Sequence, residues 1–96
     1  MNTSLSLITI EGTVTTAPSL TSGNLVEFVV VDDLGTQFSV RIPRTELGAH
    51  VAPGARVVAA GAEGWVIPGR AWRDEPSRTI LQAHDVQLRR SAYAAA

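Results

Sequence analysis

A chain of 96 residues with a formal net charge of −1 and 45% hydrophobic residues has the size and composition of one small folded domain. The absence of cysteine excludes a disulfide framework and a thiolate metal site, and no apolar run approaches the roughly 20 residues that cross a bilayer. The first residues lack the basic region and the apolar stretch of a secretory signal, so we expect a cytoplasmic protein with no membrane partner.

Five stretches rich in β-branched residues predict strands, and in chain order they span residues 5–16, 25–31, 36–42, 56–64 and 78–89. Gly12 inside the first strand indicates a bulge or a sharp bend, as at the corner of a barrel. Residues 32–35, Asp-Asp-Leu-Gly, predict a tight hairpin between the second and third strands. The stretch 44–51 is the one plausible helix, and Gly48 weakens it.

Five strands with a short helix between the third and the fourth predict an all-β OB-fold, a five-stranded Greek-key barrel. An SH3-like barrel is the main alternative, but it usually lacks a helix at that place and its first strand is not normally so long. Phe28 and Phe38 alternate with apolar neighbours and are predicted to lie in the core. The domain would span residues 1–90, and residues 91–96 are predicted to be a flexible C-terminal tail.

Both tryptophans fall in the predicted loop between the fourth and fifth strands, beside the face on which OB-folds bind oligonucleotides and oligosaccharides. Trp72 lies between Arg70 and Arg73 and has no apolar neighbours at strand spacing. We therefore expect Trp72 to face a ligand or a partner, with packing as a lid against the barrel as the alternative. Trp65 precedes two apolar residues, so burial in the core or in an interface is favoured over base stacking there.

Arginines supply the other candidate contacts, because a guanidinium group pairs with phosphate oxygens through two hydrogen bonds. Arg41 lies on the polar face of the third strand with Gln37 and Ser39, although an ordinary solvated arginine explains it equally well. Arg56 and Arg78 would extend a basic stripe. The candidate nucleic-acid-binding residues are therefore Trp72, Arg70, Arg73, Arg41, Arg78, Trp65 and Arg56.

The order and spacing of short motifs resemble those of bacterial single-stranded-DNA-binding proteins. The matches in the first part of the chain are Met1, Asn2, Gly12, Pro18, Leu20, Ser22, Gly23, Val26 and Phe28. Gly54, Val57 and Gly61 resemble the fourth strand of that family, and residues 79–88 resemble the fifth. The primosomal replication protein PriB, a related OB-fold dimer, has a similar opening pattern and length. The resemblance covers about residues 1–90 and implies an OB-fold that binds single strands.

Two departures from that family limit what the resemblance implies. The long basic hairpin of the family is replaced by the acidic residues 32–35, and lysine is absent. The acidic tail tip with which the family recruits partner enzymes is replaced by residues 89–96, Arg-Arg-Ser-Ala-Tyr-Ala-Ala-Ala. The resemblance therefore implies a minimal core version without recruitment through that tip.

The first predicted strand is apolar on both faces, with Leu5 and Leu7 on one and Ile8, Ile10 and Val14 on the other. A monomeric barrel needs only one apolar face, so a second buried surface is expected. Members of the family that the chain resembles pair through this strand. We therefore predict a homodimer or homotetramer through strand one.

These observations predict sequence-independent single-stranded DNA binding in replication, repair or recombination, with RNA left open as a ligand. The alternative is an OB-fold interaction module that acts as a subunit or adaptor, which the near-neutral charge and the acidic hairpin favour. No enzymatic activity, cofactor or metal is expected, because His50 and His84 are far apart and no nucleophile or ligand spacing accompanies them.

Overall fold

The computed structural model describes residues 6–48, 50–70, 72 and 74–89. Its strands, in chain order, are β1 (Leu7–Val14), β2 (Ser19–Thr21), β3 (Leu25–Asp32), β4 (Gln37–Pro43), β5 (Arg56–Ile67) and β6 (Arg78–Leu88). Single-turn 3₁₀ helices lie between strands at Ser22–Asn24 and Arg44–Glu46. No helix in the described ranges is both long enough and apolar enough to cross a bilayer.

The sheet closes into a barrel because β1 pairs with two strands. Leu7 to Thr13 run antiparallel to β5, and Gly12 to Val14 run antiparallel to the end of β3. The circuit is completed by the antiparallel pairs β3–β4 and β5–β6 and by the parallel pair β4–β6. The short β2 pairs with the first part of β3. With β2 set aside, this is the strand order of an OB-fold, so the predicted all-β fold class is confirmed.

Gly12 is the residue at which β1 passes from one partner to the other. It pairs with Val57 of β5 and with Asp32 of β3, and a Cβ atom here would overlap the carbonyl oxygen of Val31. Only glycine allows the two backbones to come this close. The glycine in the first strand therefore marks a barrel corner, as the sequence indicated.

The barrel interior is filled by side chains that alternate along the strands. In β3 and β4 the inward residues are Val26, Phe28, Val30, Phe38, Val40 and Ile42. Phe28 and Phe38, predicted to be core residues, are 1% and 7% exposed. Burial of each large apolar side chain contributes about 1.5–3 kcal/mol, so this interior is the main source of stability. The alternate residues of the same strands form the outer face of the barrel.

Besides shifts of one or two residues at strand ends, the structure differs from the sequence prediction in three places. The helix expected over residues 44–51 is only the 3₁₀ turn Arg44–Glu46, because Gly48 and the nearby turn at Pro53 leave too few residues for an α-helix. The fourth predicted strand does not end at residue 64 but continues as β5 to Ile67. The loop over residues 17–24 contains β2, which was not predicted. Leu5, Arg73, Arg90 and the predicted tail over residues 91–96 lie outside the described residues.

Candidate nucleic-acid interface

The outer face of β3, β4 and β6 presents three rows of residues in register, which we call the outer grid. The rows are Val31–Gln37–Arg78, Val29–Ser39–Ile80 and Glu27–Arg41–Gln82. Neighbouring strands lie about 4.8 Å apart, so the three members of each row are adjacent. This is the face of an OB-fold on which oligonucleotides lie.

The middle row of the outer grid is closed to solvent. Val29, Ser39 and Ile80 are 7%, 0% and 1% exposed. Gly64 of β5 packs against Ile80, since a Cβ atom at Gly64 would lie 3.5 Å from the Cβ of Ile80. A ligand can therefore reach the outer grid through the first and third rows, where longer polar side chains are partly exposed.

Glu27, in the third row, accepts one hydrogen bond from the middle row and one from its own row. Ser39 Oγ donates to Glu27 Oε2 over 2.6 Å, and Arg41 Nε donates to the same oxygen over 2.8 Å. Partial burial raises the pKa of the Glu27 carboxyl, but hydrogen bonds from Ser39 and Arg41 and the charges of Arg41 and Arg78 together hold it below its ordinary value. Glu27 is therefore ionised at neutral pH, and its charge offsets that of Arg41.

The first row ends in a cleft of about 360 Å³ at the base of the β5–β6 connection. Its lining residues are Gln37, Ile67, Pro68, Gly69, Arg70, Glu75, Pro76 and Arg78. The two ends of the connection come together at Arg70 and Glu75, which we call its neck. There the Glu75 backbone N–H donates to the Arg70 carbonyl oxygen over 3.1 Å. A Cβ atom at Gly69 would overlap the backbone of Glu75 and Pro76, so the neck depends on glycine at this position.

Among the described residues, the guanidinium groups of Arg70 and Arg78 border this cleft. Arg70 is 61% exposed and its Nε lies 3.9 Å from Glu75 Oε2, at the limit of an ion pair. Arg78 is half-buried and pairs in the β4–β6 ladder with Gln37. An exposed pair at this distance contributes little to stability, so Arg70 can exchange Glu75 for a phosphate at low cost.

The tryptophans lie in and just after β5. Trp65 is 65% exposed and Trp72 is 74% exposed. Core burial, one of the two kinds of burial expected for Trp65, is wrong. In the described residues β1 pairs with β5 as far as Ala62, and the last residues of β5 pair with β6. Burial of Trp65 in an interface stays a prediction. The exposure of Trp72 agrees with the expectation that it lies outside the core.

Two of the predicted nucleic-acid-binding residues, Arg56 and Arg73, are not part of the site as the structure describes it. Arg56 pairs with Thr13 of β1, which separates it from Val31 of the outer grid, and its guanidinium contacts Glu11 Oε2 at 3.3 Å and Asp33 Oδ2 at 2.8 Å. The hydrogen bond and charge of Arg56 lower the pKa of Asp33. Arg73 lies outside the described residues. The structure thus brings Arg41, Arg70 and Arg78 to one side of the barrel and assigns Arg56 to an ion-pair network on another strand.

Glu27 is the residue of this site that sequence reasoning did not select. The signal was present, because Glu27 is the one charged residue among the apolar residues 25–31. Its partners Ser39 and Arg41 are 12 and 14 positions away in the sequence, so the contact emerges only with the β3–β4 register.

Comparison with known proteins supports the fold assignment. No protein-family model matches the chain, and no curated protein matches its sequence. Among solved structures, the chain is similar to the mitochondrial single-stranded DNA binding protein of S. cerevisiae, with a TM-score of 0.65 and 15% sequence identity. The similarity covers 94% of this chain and 100% of that one. At this level of identity it establishes that the two proteins share the OB-fold.

Proposed function

We propose that the chain binds single-stranded DNA along the outer grid and the β5–β6 connection, without regard to overall sequence. The observation that carries this proposal is the position of two exposed tryptophans, Trp65 and Trp72, in and after the strand that borders β6. Large exposed aromatic side chains are unusual on a monomer and suit the stacking of unpaired bases. The shared fold with a protein whose description names single-stranded DNA binding supports the same function.

In this proposal the aromatic side chains contact the bases and the cationic side chains contact the phosphates. Bases stack on the indoles of Trp65 and Trp72, each stacked base contributing about 1–3 kcal/mol. Arg70 and Arg78, beside the cleft, pair with phosphates. Arg73 belongs to the proposed set because it follows Trp72 in the sequence. Arg41 has a smaller role as a phosphate contact than the sequence suggested, because Glu27 offsets its charge. Such binding serves replication, repair or recombination, and RNA stays an alternative ligand.

We also propose that the chain forms a homodimer or homotetramer through β1. Over Leu7 to Glu11, β1 pairs with β5 on one edge, and its pairing with β3 begins only at Gly12. Within the described part of the chain, the other edge of this stretch has no partner strand. Leu7 is 78% exposed beside that edge. An unpaired edge with an exposed leucine is a template for pairing with a second copy.

Fluorescence titration tests the binding proposal, since both tryptophans lie at the site. We expect oligo-dT to quench the emission and a duplex of equal length to quench it far less. Affinity should fall with salt, with a slope of about −0.7 for each phosphate neutralised on a single strand. The absence of quenching and of any shift in electrophoretic mobility at low salt would contradict the proposal.

A second candidate function is an interaction module, and a groove on another part of the barrel favours it. The groove has a volume of about 630 Å³ and is lined by Pro18, Ser19, Leu20, Val26, Arg44, Leu47, His50 and Val51. Leu20 is 58% exposed at its rim. Co-purification of a stable partner that is lost on Leu20→Arg but retained on Trp72→Ala would support this function over DNA binding.

A further inference from the structure

The Glu27 carboxylate uses its two oxygens differently. Both hydrogen bonds, from Ser39 Oγ and Arg41 Nε, are accepted by Oε2. Oε1 accepts no hydrogen bond from any described residue, and within the same residues no buried side-chain oxygen lacks a partner. Oε1 is therefore accessible to solvent. The structure fixes an ionised carboxylate on the outer grid with one oxygen available to a ligand.

An available carboxylate oxygen accepts hydrogen bonds and cannot donate them. Cytosine offers a suitable donor in its exocyclic N4 amino group, which glutamate recognises in DNA complexes, and adenine and guanine also carry amino groups. Thymine and uracil instead present carbonyl oxygens on both sides of their single N3–H. A carboxylate placed against that edge is repelled by the partial negative charges of these carbonyl oxygens. Its contact with thymine or uracil is therefore weaker than its contact with cytosine.

Arg41 and Ser39 make Glu27 rigid enough to discriminate between bases. Two hydrogen bonds from a neighbouring strand fix Oε2, and the Glu27 side chain is only 26% exposed. A flexible surface carboxylate would turn away from an unfavourable base, whereas this one is held in place. Discrimination by a positioned group requires such support from the residues behind it.

We propose that Glu27 makes one position of the bound single strand selective for bases with an exocyclic amino group over thymine and uracil. The inference rests on the proposed DNA binding. The Glu27 contact would add a base preference at one position, while most of the affinity comes from stacking. Modest base preferences of this kind are compatible with binding that is otherwise independent of sequence.

Paired homopolymers test this inference. Oligo-dC and oligo-dU of equal length differ at the C4 substituent, amino against carbonyl, and at the N3 hydrogen that accompanies it, and neither carries the thymine methyl group. We expect the wild-type chain to bind oligo-dC roughly fivefold more tightly at the same salt concentration, at the lower end of the discrimination that one good base contact provides. Glu27→Gln, whose amide both donates and accepts, should reduce this ratio to near one.

Glu11→Gln is the matched control, because it removes an equivalent charge from the outer face of β1, where the described partners of Glu11 are Arg56 and Arg89 and not residues of the outer grid. It should leave the oligo-dC to oligo-dU ratio unchanged. Equal binding of the two homopolymers by the wild-type chain overturns the inference and leaves the proposed function standing. A wild-type preference that persists in Glu27→Gln also overturns it, whereas failure to bind either homopolymer overturns the proposed function itself.

Discussion

Glu27 and Arg41 face each other across the β3–β4 ladder, joined by a hydrogen bond of 2.8 Å from Arg41 Nε to Glu27 Oε2. The two side chains are 26% and 31% exposed, so the pair is partly buried in the third row of the outer grid. Arg41 therefore stabilises the contact between β3 and β4, whether or not it also contacts a ligand. Among the arginines of this site, Arg41 is therefore expected to contribute mainly to stability, whereas the exposed Arg70 is expected to contribute mainly to binding.

Arg41→Ala should lower the free energy of unfolding by about 1–2 kcal/mol, because it removes a charge-assisted hydrogen bond and leaves the Glu27 carboxylate without its cation. Urea denaturation of the wild-type chain and the variant measures the difference. Arg70→Ala is the control, since Arg70 is 61% exposed and its contact with Glu75 is 3.9 Å long. Equal destabilisation by the two substitutions would contradict the structural role of Arg41.

Arg70→Ala should instead weaken single-strand binding and reduce the magnitude of the salt slope by about 0.7, the contribution of one phosphate contact. The measurement is affinity for oligo-dT at several salt concentrations. Arg56→Ala is the comparison, because Arg56 is paired with Glu11 and Asp33 and β1 separates it from the outer grid, so the slope should stay unchanged. A slope that is the same in all three proteins would exclude Arg70 as a phosphate contact.

The pKa of Glu27 predicts how stability depends on pH. This pKa is lowered from its ordinary value of 4.5, so the unfolded chain takes up the proton first as the pH falls. The stabilisation is therefore present above pH 4.5 and is lost as the pH falls through the lower pKa of the folded state. Denaturation at about pH 7 and about pH 3 should show a smaller loss of stability in Glu27→Gln than in the wild-type chain. A loss of the same size in both would contradict the assignment.

Sequence reasoning predicted the fold well because alternation is a local property. Phe28 and Phe38 were placed in the core from their neighbours alone, and Gly12 was placed at a bend. The exposure of Trp65 was not predictable in this way, since it depends on how far β5 continues past Ala62, where its described pairing with β1 ends. Glu27 likewise required the cross-strand register. The site was thus harder to predict than the fold because its geometry comes from contacts between distant residues.

Trp72→Ala and Trp65→Ala should each reduce the affinity for oligo-dT by about 1–3 kcal/mol without unfolding the barrel, because both side chains are mostly exposed. Fluorescence anisotropy of a labelled oligonucleotide measures affinity without relying on the deleted indole. Leu34→Ala is the control for loss of an exposed apolar side chain, since Leu34 is 92% exposed in the β3–β4 hairpin. Unchanged affinity in both tryptophan variants would exclude stacking at these positions.

Leu7→Glu should dissociate the proposed oligomer, because it places a charge beside the edge of β1 that pairs with neither β3 nor β5. Leu7 is 78% exposed in the single chain, so the substitution should change the free energy of unfolding of the protomer by less than about 0.5 kcal/mol. Sedimentation measures the mass of both proteins, and Leu34→Glu supplies the same charge change on the hairpin. A wild-type chain that sediments as a monomer, or a Leu7→Glu variant that retains the wild-type mass, would contradict assembly through β1.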